Sequence, residues 1–420
     1  MITTTLHKHF CRSNAALMSW YSKKLNGLGF PIYSSYDIRD AGFKISNVDA
    51  NIYPAGFNNI CPVDYETSTE LMSEYIRCHY GSTVKRVMIL TEEHTNNPYY
   101  WDNVVAIQGL LEQSGIKTLI SVPRRLEAPF HLISAKGVRV TVESGFGDSQ
   151  TVKEFKPDLI ISNNDFSNAH EEWGDSIKTF LQVPINPPRE LGWYQRKKSR
   201  YFHFYNQAVS EFTELTQIDP FLLNVKTEVF SNFQIEDDAS TQKLAYKVDE
   251  MIESLKKDYQ DRKIEEAPFV FIKNNSGTYG LAVIRVGSGK DVLEWNYKSR
   301  KKMKAAKGGR DVEQVIIQEG IPSHVKSEGS TAEPVIYMIG KDLAGGFLRT
   351  HSEKNETESL NSPGAVYKRL CVSDLNVSLE PSPLENVYGW SGRLGLLAIA
   401  LEARELGAQF AGFQDCTGRV

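Results

Sequence analysis

Residues 269–286 read FVFIKNNSGTYGLAVIRV. An apolar run ends on Lys273, a polar loop holding Gly277 and Gly280 comes next, and a second apolar run begins. The pattern predicts two strands joined by a glycine loop. A hairpin turn with an exposed lysine satisfies it, and so does a loop that closes over an anion. In the second case Lys273 offers an ammonium at a fixed strand end. The glycines let backbone amides approach a ligand with no Cβ in the way. Ser276 and Thr278 add hydroxyl donors, and phosphate oxygens held by such donors gain charge-assisted hydrogen bonds. The loop by itself leaves both readings open.

The order of the downstream segments favours the second. A basic helical stretch (291–308) leads into a strand, 312–321, that carries Gln318-Glu319. Strands at 334–340 and 345–351 come next, then a loop, SLNSPGA (359–365). Two other signals fail on inspection. VGSGKD (286–291) has Ile284 where a P-loop needs glycine and Asp291 where it needs Ser or Thr. KSRKKMK (298–304) has little aromatic interleaving beyond Tyr297, so it reads as a solvated helix face rather than a nucleic-acid patch.

Upstream, RVMIL (86–90), a helical pattern at 101–115 stopped by Gly115, and KTLISV (117–122) read as strand, helix, strand. Further strands are expected at 136–144 and 157–165, an α/β pattern with parallel crossovers. A proline-rich break spans 183–193, and 199–263 reads as mostly helical. The expected units are an N-terminal α/β substrate-binding domain (1–195), a helical connector (196–265), a lid subdomain (266–320) and a C-terminal subdomain (321–420).

Bulk properties narrow the function. The 420 residues are 41% hydrophobic and 24% charged with a formal charge of −4, which points to neither nucleic acid nor an anionic membrane. MITTTLHKHFCRSN lacks a signal-peptide core and reads as a mobile polar tail, with His7 and His9 as weak metal candidates at most. Arg393 and Glu402 interrupt the apolar stretch 390–406, so it reads as a buried helix. Cys11, Cys61, Cys78, Cys371 and Cys416 are scattered without a C-x-x-C, which argues against a disulfide scaffold or zinc ribbon and for a reducing cytoplasm. The sequence leaves self-association, as a homo-oligomer, open.

The strand–lysine–glycine loop–strand unit with its downstream Gln-Glu strand resembles the ATP-grasp layout. The chain as a whole resembles the short bacterial glutamate–cysteine ligases of ATP-grasp type. The likeness rests on NVDANIYPAGFNN (47–59), ISNNDFS (161–167), FIKNNSGTYGLAV (271–283), VIIQEG (315–320), AEPVIYMIG (332–340), GGFLRTHSE (345–353) and LNSPG (360–364). It implies an α/β fold, α+β in its C-terminal part, with ATP and Mg²⁺ as cofactors. The implied reaction joins the γ-carboxylate of L-glutamate to the amine of L-cysteine through an acyl phosphate, the first step of glutathione biosynthesis. Other readings are a carboxylate–amine ligase with different substrates, or an inactive ATP-binding regulator.

A carboxylate is a poor electrophile until ATP phosphorylates it, so catalysis is mainly positioning and charge neutralisation. The resemblance then implies roles. Lys273, Ser276, Gly277, Thr278 and Gly280 would hold phosphates, and Gln318 and Glu319 the adenosine. Arg349 would face the transferring phosphoryl group with His351 close by, unless it pairs with a structural carboxylate such as Glu333. Asp49, Asn51, Asn58 and Asn59 would meet an amino acid's carboxylate and ammonium, or else cap their own loop. Arg39 and Lys44 would supply cations for glutamate, and Asn163, Asn164 and Asp165 sit where α/β proteins place ligand contacts. Metal candidates are Glu333, Asn361 and Asp415, with Glu353 and Asp374 as alternatives, because no Glu-x-Asn comes after Asp415.

Overall fold

The computed structural model describes residues 2–93, 96–276, 282–304, 312–379 and 382–416. Apolar runs place β3 (Arg86–Leu90), β4 (Lys117–Val122) and β7 (Leu159–Ser162) in one sheet with the alternating β6 (Arg139–Ser144), and β5 (Phe130–Ile133) and β8 (Ile185–Asn186) lie at its edges. The order is β5-β6-β4-β3-β7-β8. Apart from the antiparallel β5 edge, every pair is parallel, as the α/β reading expects. Parallel neighbours require crossovers, and the helices Pro98–Gln113 and Gln150–Phe155 supply two of them.

A second sheet, β11-β10-β12-β9, joins β10 (Val270–Asn274), β11 (Val283–Val286) and β12 (Gln314–Glu319) to β9 (Thr227–Ser231). All its pairs are antiparallel. The helix Asp238–Asp261 turns Leu244, Val248, Ile252 and Leu255 onto Val270, Ile272, Val315 and Ile317, which makes a separate small core. β9 falls inside 199–263, where the sequence predicts mostly helix. Its TEVFS is short and only partly buried, so it carries little apolar signal. The stretch 291–308 divides into helices Gly289–Leu293 and Tyr297–Lys304, and residues 305–308 lie outside the described residues.

The third sheet crosses the expected domain boundaries. β1 (Tyr33–Asp40) and β2 (Ile45–Asn51) pair with β14 (Ser330–Ile339), β15 (Asp342–His351) and β16 (Val366–Leu370) in the order β16-β15-β14-β1-β2, with β13 (Lys326–Ser327) beside β14. Residues 33–51 thus complete the sheet of the C-terminal part. The helix Val387–Glu405 covers its back. A Cβ on Gly395 would lie 2.3 Å from the Tyr36 ring, so glycine is what allows this helix to pack so closely. Leu394, Leu396, Leu397 and Ile399 are fully buried there, each worth about 1.5–3 kcal/mol.

Two terminal expectations are corrected. Residues 2–25 form a helix, not a mobile tail, because Leu6, Phe10, Leu17, Tyr21 and Leu25 recur on one buried face. His9 Nδ1 lies 3.0 Å from the Thr216 carbonyl, and Val387 N–H points at His7 Nε2. The cysteines also differ from expectation: Cys61 is paired with Cys371 and Cys78 with Cys416, leaving Cys11 free. Partners 310 and 338 residues apart cannot be read from spacing. Among the described residues no helix is long and apolar enough to cross a membrane.

Candidate active site

Strand periodicity builds the site. On the third sheet Ser35, Asp37 and Arg39 of β1 share one face with Asp49 and Asn51 of β2, Glu333, Val335 and Tyr337 of β14, and Phe347 and Arg349 of β15. The intervening Tyr36, Ile38, Ile336 and Met338 point into the core behind. The polar face lines a cleft with two cavities. One lies against β10 and β12 and is lined by Lys273, Gln318, Glu319, Arg39, Glu333 and neighbours. The other, wider one runs past Asn51, Tyr53, Asn58, Asn59, Trp193, Arg349 and the loop 361–365. Four residues line both: Asp37, Asp49, Lys198 and Asn361.

Lys273 enters from the end of β10. Its Nζ donates to Gln318 Oε1 at 2.6 Å and to the Val48 carbonyl at 3.1 Å. Burial pushes its pKa down to about 8, with Asp49 pulling the other way. Lys198, at the start of the helix Lys198–Thr216, pairs with Asp49 and lies over the Trp193 ring. Burial alone would raise the Asp49 carboxyl, but Lys198 and Lys273 outweigh it and hold it below its ordinary value.

Arg349 is held by two carboxylates. Nη1 donates to Asp37 Oδ2 at 2.7 Å and to Glu333 Oε1 at 2.6 Å, so the structural pairing with Glu333 is present. Burial would lower its pKa, but Asp37 and Glu333 reverse that and raise it. Burial raises Asp37 despite Arg349. Glu333 also accepts Arg39 Nε on its other oxygen, at 2.6 Å. Arg39 donates one N–H from each Nη to the Glu356 and Glu358 carbonyls, so it clamps the 356–358 loop.

Several expected site residues are structural. Lys44 donates to both oxygens of Glu319 at 2.8 Å, and the pair is almost fully enclosed. Glu319 Oε2 also accepts Lys226 N–H. Its carboxylate, although it lines the first cavity, is held by Lys44, so Lys44 is not a free cation for glutamate. His351 lines neither cavity. Its Nδ1 accepts Glu353 N–H, leaving Nε2–H to donate to the Pro363 carbonyl, so it braces the loop 361–365. Asp415 lines neither cavity and accepts Gly27 N–H at 2.6 Å, which removes it as a metal ligand for this cleft. Glu353 and Asp374 line neither as well.

The Asx-rich loop is mixed. Asn51 lines the wider cavity but also accepts Tyr53 N–H, a local turn. Asn58 and Asn59 line it too, bonded to each other. Asn163 supports the loop from below, through Nδ2 to the Pro54 carbonyl and Oδ1 from Asn103. Asn164 bonds to Thr91 O and Phe166 N–H and stays behind the cavity. Asp165 lines the cavity. Ser276 accepts Lys197 Nζ at 2.7 Å. Gly277, Thr278 and Gly280 lie outside the described residues.

Asp37 and Lys198 are among the cleft residues that sequence reasoning misses. The alternation in YSSYDIRD is the available sign for Asp37. Lys198 has none beyond its place in the basic run QRKKSR.

The fold matches a solved structure over nearly its whole extent. A candidate γ-glutamylcysteine synthetase from Methylobacillus flagellatus KT superposes with a TM-score of 0.81 at 30% identity, covering 96% of each chain. D-alanyl-alanine synthetase A from Vibrio cholerae O1 biovar eltor (TM-score 0.33, 11% identity, 77% of this chain and 81% of that one) is too distant to carry an argument. So is a glutathione synthetase-like effector from Globodera pallida (TM-score 0.32, 12% identity, 87% and 84%). No curated protein sequence matches the chain. The family model for glutamate–cysteine ligase matches residues 7–403. The chain belongs to the glutamate–cysteine ligase family: it is an ATP-dependent ligase that forms γ-glutamylcysteine.

Proposed function

We propose that ATP lies in the cavity under Lys273 and Gln318, that the amino acids occupy the wider cavity, and that the phosphoryl group passes where the two meet. The observation that carries this reading is the shared lining of Asp37, Asp49, Lys198 and Asn361. A glutamate γ-carboxylate placed there attacks the γ-phosphorus and ADP departs. The cysteine amine then attacks the acyl phosphate carbonyl, loses a proton, and phosphate leaves.

Lys273 and Lys198 neutralise the transferring group from two sides of Asp49. Arg349, fixed by Asp37 and Glu333, presents its guanidinium edge to the wider cavity. Asn51, Asn58, Asn59 and Asp165 offer amide and carboxylate groups to amino-acid head groups. Asp49 and Asn361 offer hard oxygen donors suited to Mg²⁺, whereas both Glu333 oxygens and both Asp37 oxygens are taken by arginines. Bound there with the nucleotide, Mg²⁺ would supply further charge neutralisation to the phosphates. The reaction draws on ATP of the cytoplasm, and its partners are its small-molecule substrates.

The test is turnover by the purified protein with Mg·ATP. Sustained ADP release should need both glutamate and cysteine and should yield a γ-glutamyl dipeptide by mass spectrometry. Turnover with a different acid–amine pair, or ATP binding without turnover, would overturn the reading.

A further inference from the structure

The helix that carries Lys198 has no cap of its own. Its N-cap position, Lys197, offers no side-chain bond to the first turn, and that turn holds no acid. Arg196, Lys197, Lys198 and Arg200 crowd the end where the helix dipole is already positive. Something else must satisfy the first amides.

That group is Asn275, two residues beyond Lys273 and buried. Its carbonyl accepts Lys198 N–H at 2.8 Å, and its Oδ1 accepts Ser199 N–H at 2.9 Å. Its Nδ2 donates to Ser199 Oγ at 3.0 Å and to Gln314 Oε1 at 3.3 Å, while its own N–H reaches the Gln314 carbonyl at 3.1 Å. Every polar atom of Asn275 is therefore used, and all serve to tie the end of β10 to the Lys198 helix and β12. Lys197 Nζ to Ser276 Oγ adds a second tie.

We propose that Asn275 is a positioning residue that keeps Lys198 in register with Lys273 on either side of Asp49. The inference rests on the reading of Lys198 as a cation at the transfer site. Asn275 lines neither cavity and acts through the helix start. A displacement of about 1 Å at a reacting centre can cost on the order of 100-fold in rate, so the effect belongs in kcat and not in folding alone.

A double-mutant cycle on the full-length enzyme tests it, with ADP release measured in the presence of glutamate, cysteine and Mg·ATP. Asn275→Ala should lower kcat by roughly 10- to 100-fold while KM for ATP moves less than about threefold. Lys198→Met should lower kcat at least as far. The combined variant should be no slower than Lys198→Met, because the two changes remove one function. Asn275→Asp retains the acceptor for Ser199 N–H and should recover part of the rate. It also serves if the alanine variant does not fold. Losses that multiply in the double variant would overturn the link between Asn275 and Lys198. Near-normal turnover of Lys198→Met would overturn the reading of Lys198 itself, and with it the proposal.

Discussion

Raising the pH should weaken ATP binding, and the loss should trace to Lys273. Burial pushes this lysine from 10.5 down to about 8, and two of its three N–H groups are spent on Gln318 and Val48. The third is left for a polyphosphate, which stabilises the charged form. ATP-bound enzyme therefore keeps the proton at a pH where free enzyme has shed it. With a free pKa of about 8, the protonated fraction falls from about 0.9 at pH ~7 to about 0.1 at pH ~9. The apparent Kd should rise about tenfold over that range, roughly 1.4 kcal/mol. Calorimetry in two buffers of different ionisation enthalpy should show uptake of about half a proton on binding at pH ~8. Lys273→Arg stays charged throughout and should flatten the profile, which also controls for titration of the nucleotide. The same shift favours stability at high pH in the free enzyme. Between about 8 and 10.5 the unfolded chain binds more protons than the folded one, so unfolding free energy climbs with pH. A flat Kd without proton uptake, or an equal slope in Lys273→Arg, would refute the reasoning.

Glu319→Gln should cost about 3–5 kcal/mol in urea unfolding, because it strands the enclosed Lys44 ammonium without a carboxylate; unchanged stability with a raised KM for ATP would restore the ribose role. His351→Gln should leave the pH dependence of kcat in place, since both ring nitrogens are engaged with the backbone of the 353–363 loop; loss of an ionisation near neutrality from the wild-type profile would make it an acid–base group. Denatured but unreduced protein should titrate as a single free thiol, Cys11, and five thiols would show that neither Cys61–Cys371 nor Cys78–Cys416 forms.

Elements are legible in the sequence where the burial signal is strong. β3, β7, β10, β12, β14 and β15 are enclosed on both faces or nearly so, and their apolar runs announce them. β1 and β2 are enclosed as well, yet half their residues face the cleft and are Ser, Asp, Arg or Asn. Those residues mimic a polar loop, so ISNVDAN resembles a ligand loop although it is a strand whose cleft-facing residues line the site. The same confusion explains Glu319 and Lys44. A lysine and a glutamate in polar sequence look available, and only tertiary packing shows that each satisfies the other. Lys198 shows the converse, a functional position hidden in a basic run because its burial comes from Trp193 and Asp49 and not from its own neighbours.

The two kinds of cation in the cleft are held differently, and that difference assigns their work. Arg349 is bound by Asp37 and Glu333 together, and Glu333 is in turn bound by Arg39, so moving the guanidinium would leave Asp37 without its arginine and break one of the two ion pairs on Glu333. It is fixed and suited to orienting a substrate. Lys198 and Lys273 share the influence of one carboxylate, Asp49, which is more exposed than Glu333. An arriving polyphosphate can take over that carboxylate's part without leaving any group unpaired in the interior. Asp49 thus keeps two ammonium groups preorganised for charge that the nucleotide brings later, so little reorganisation is left for the moment of transfer.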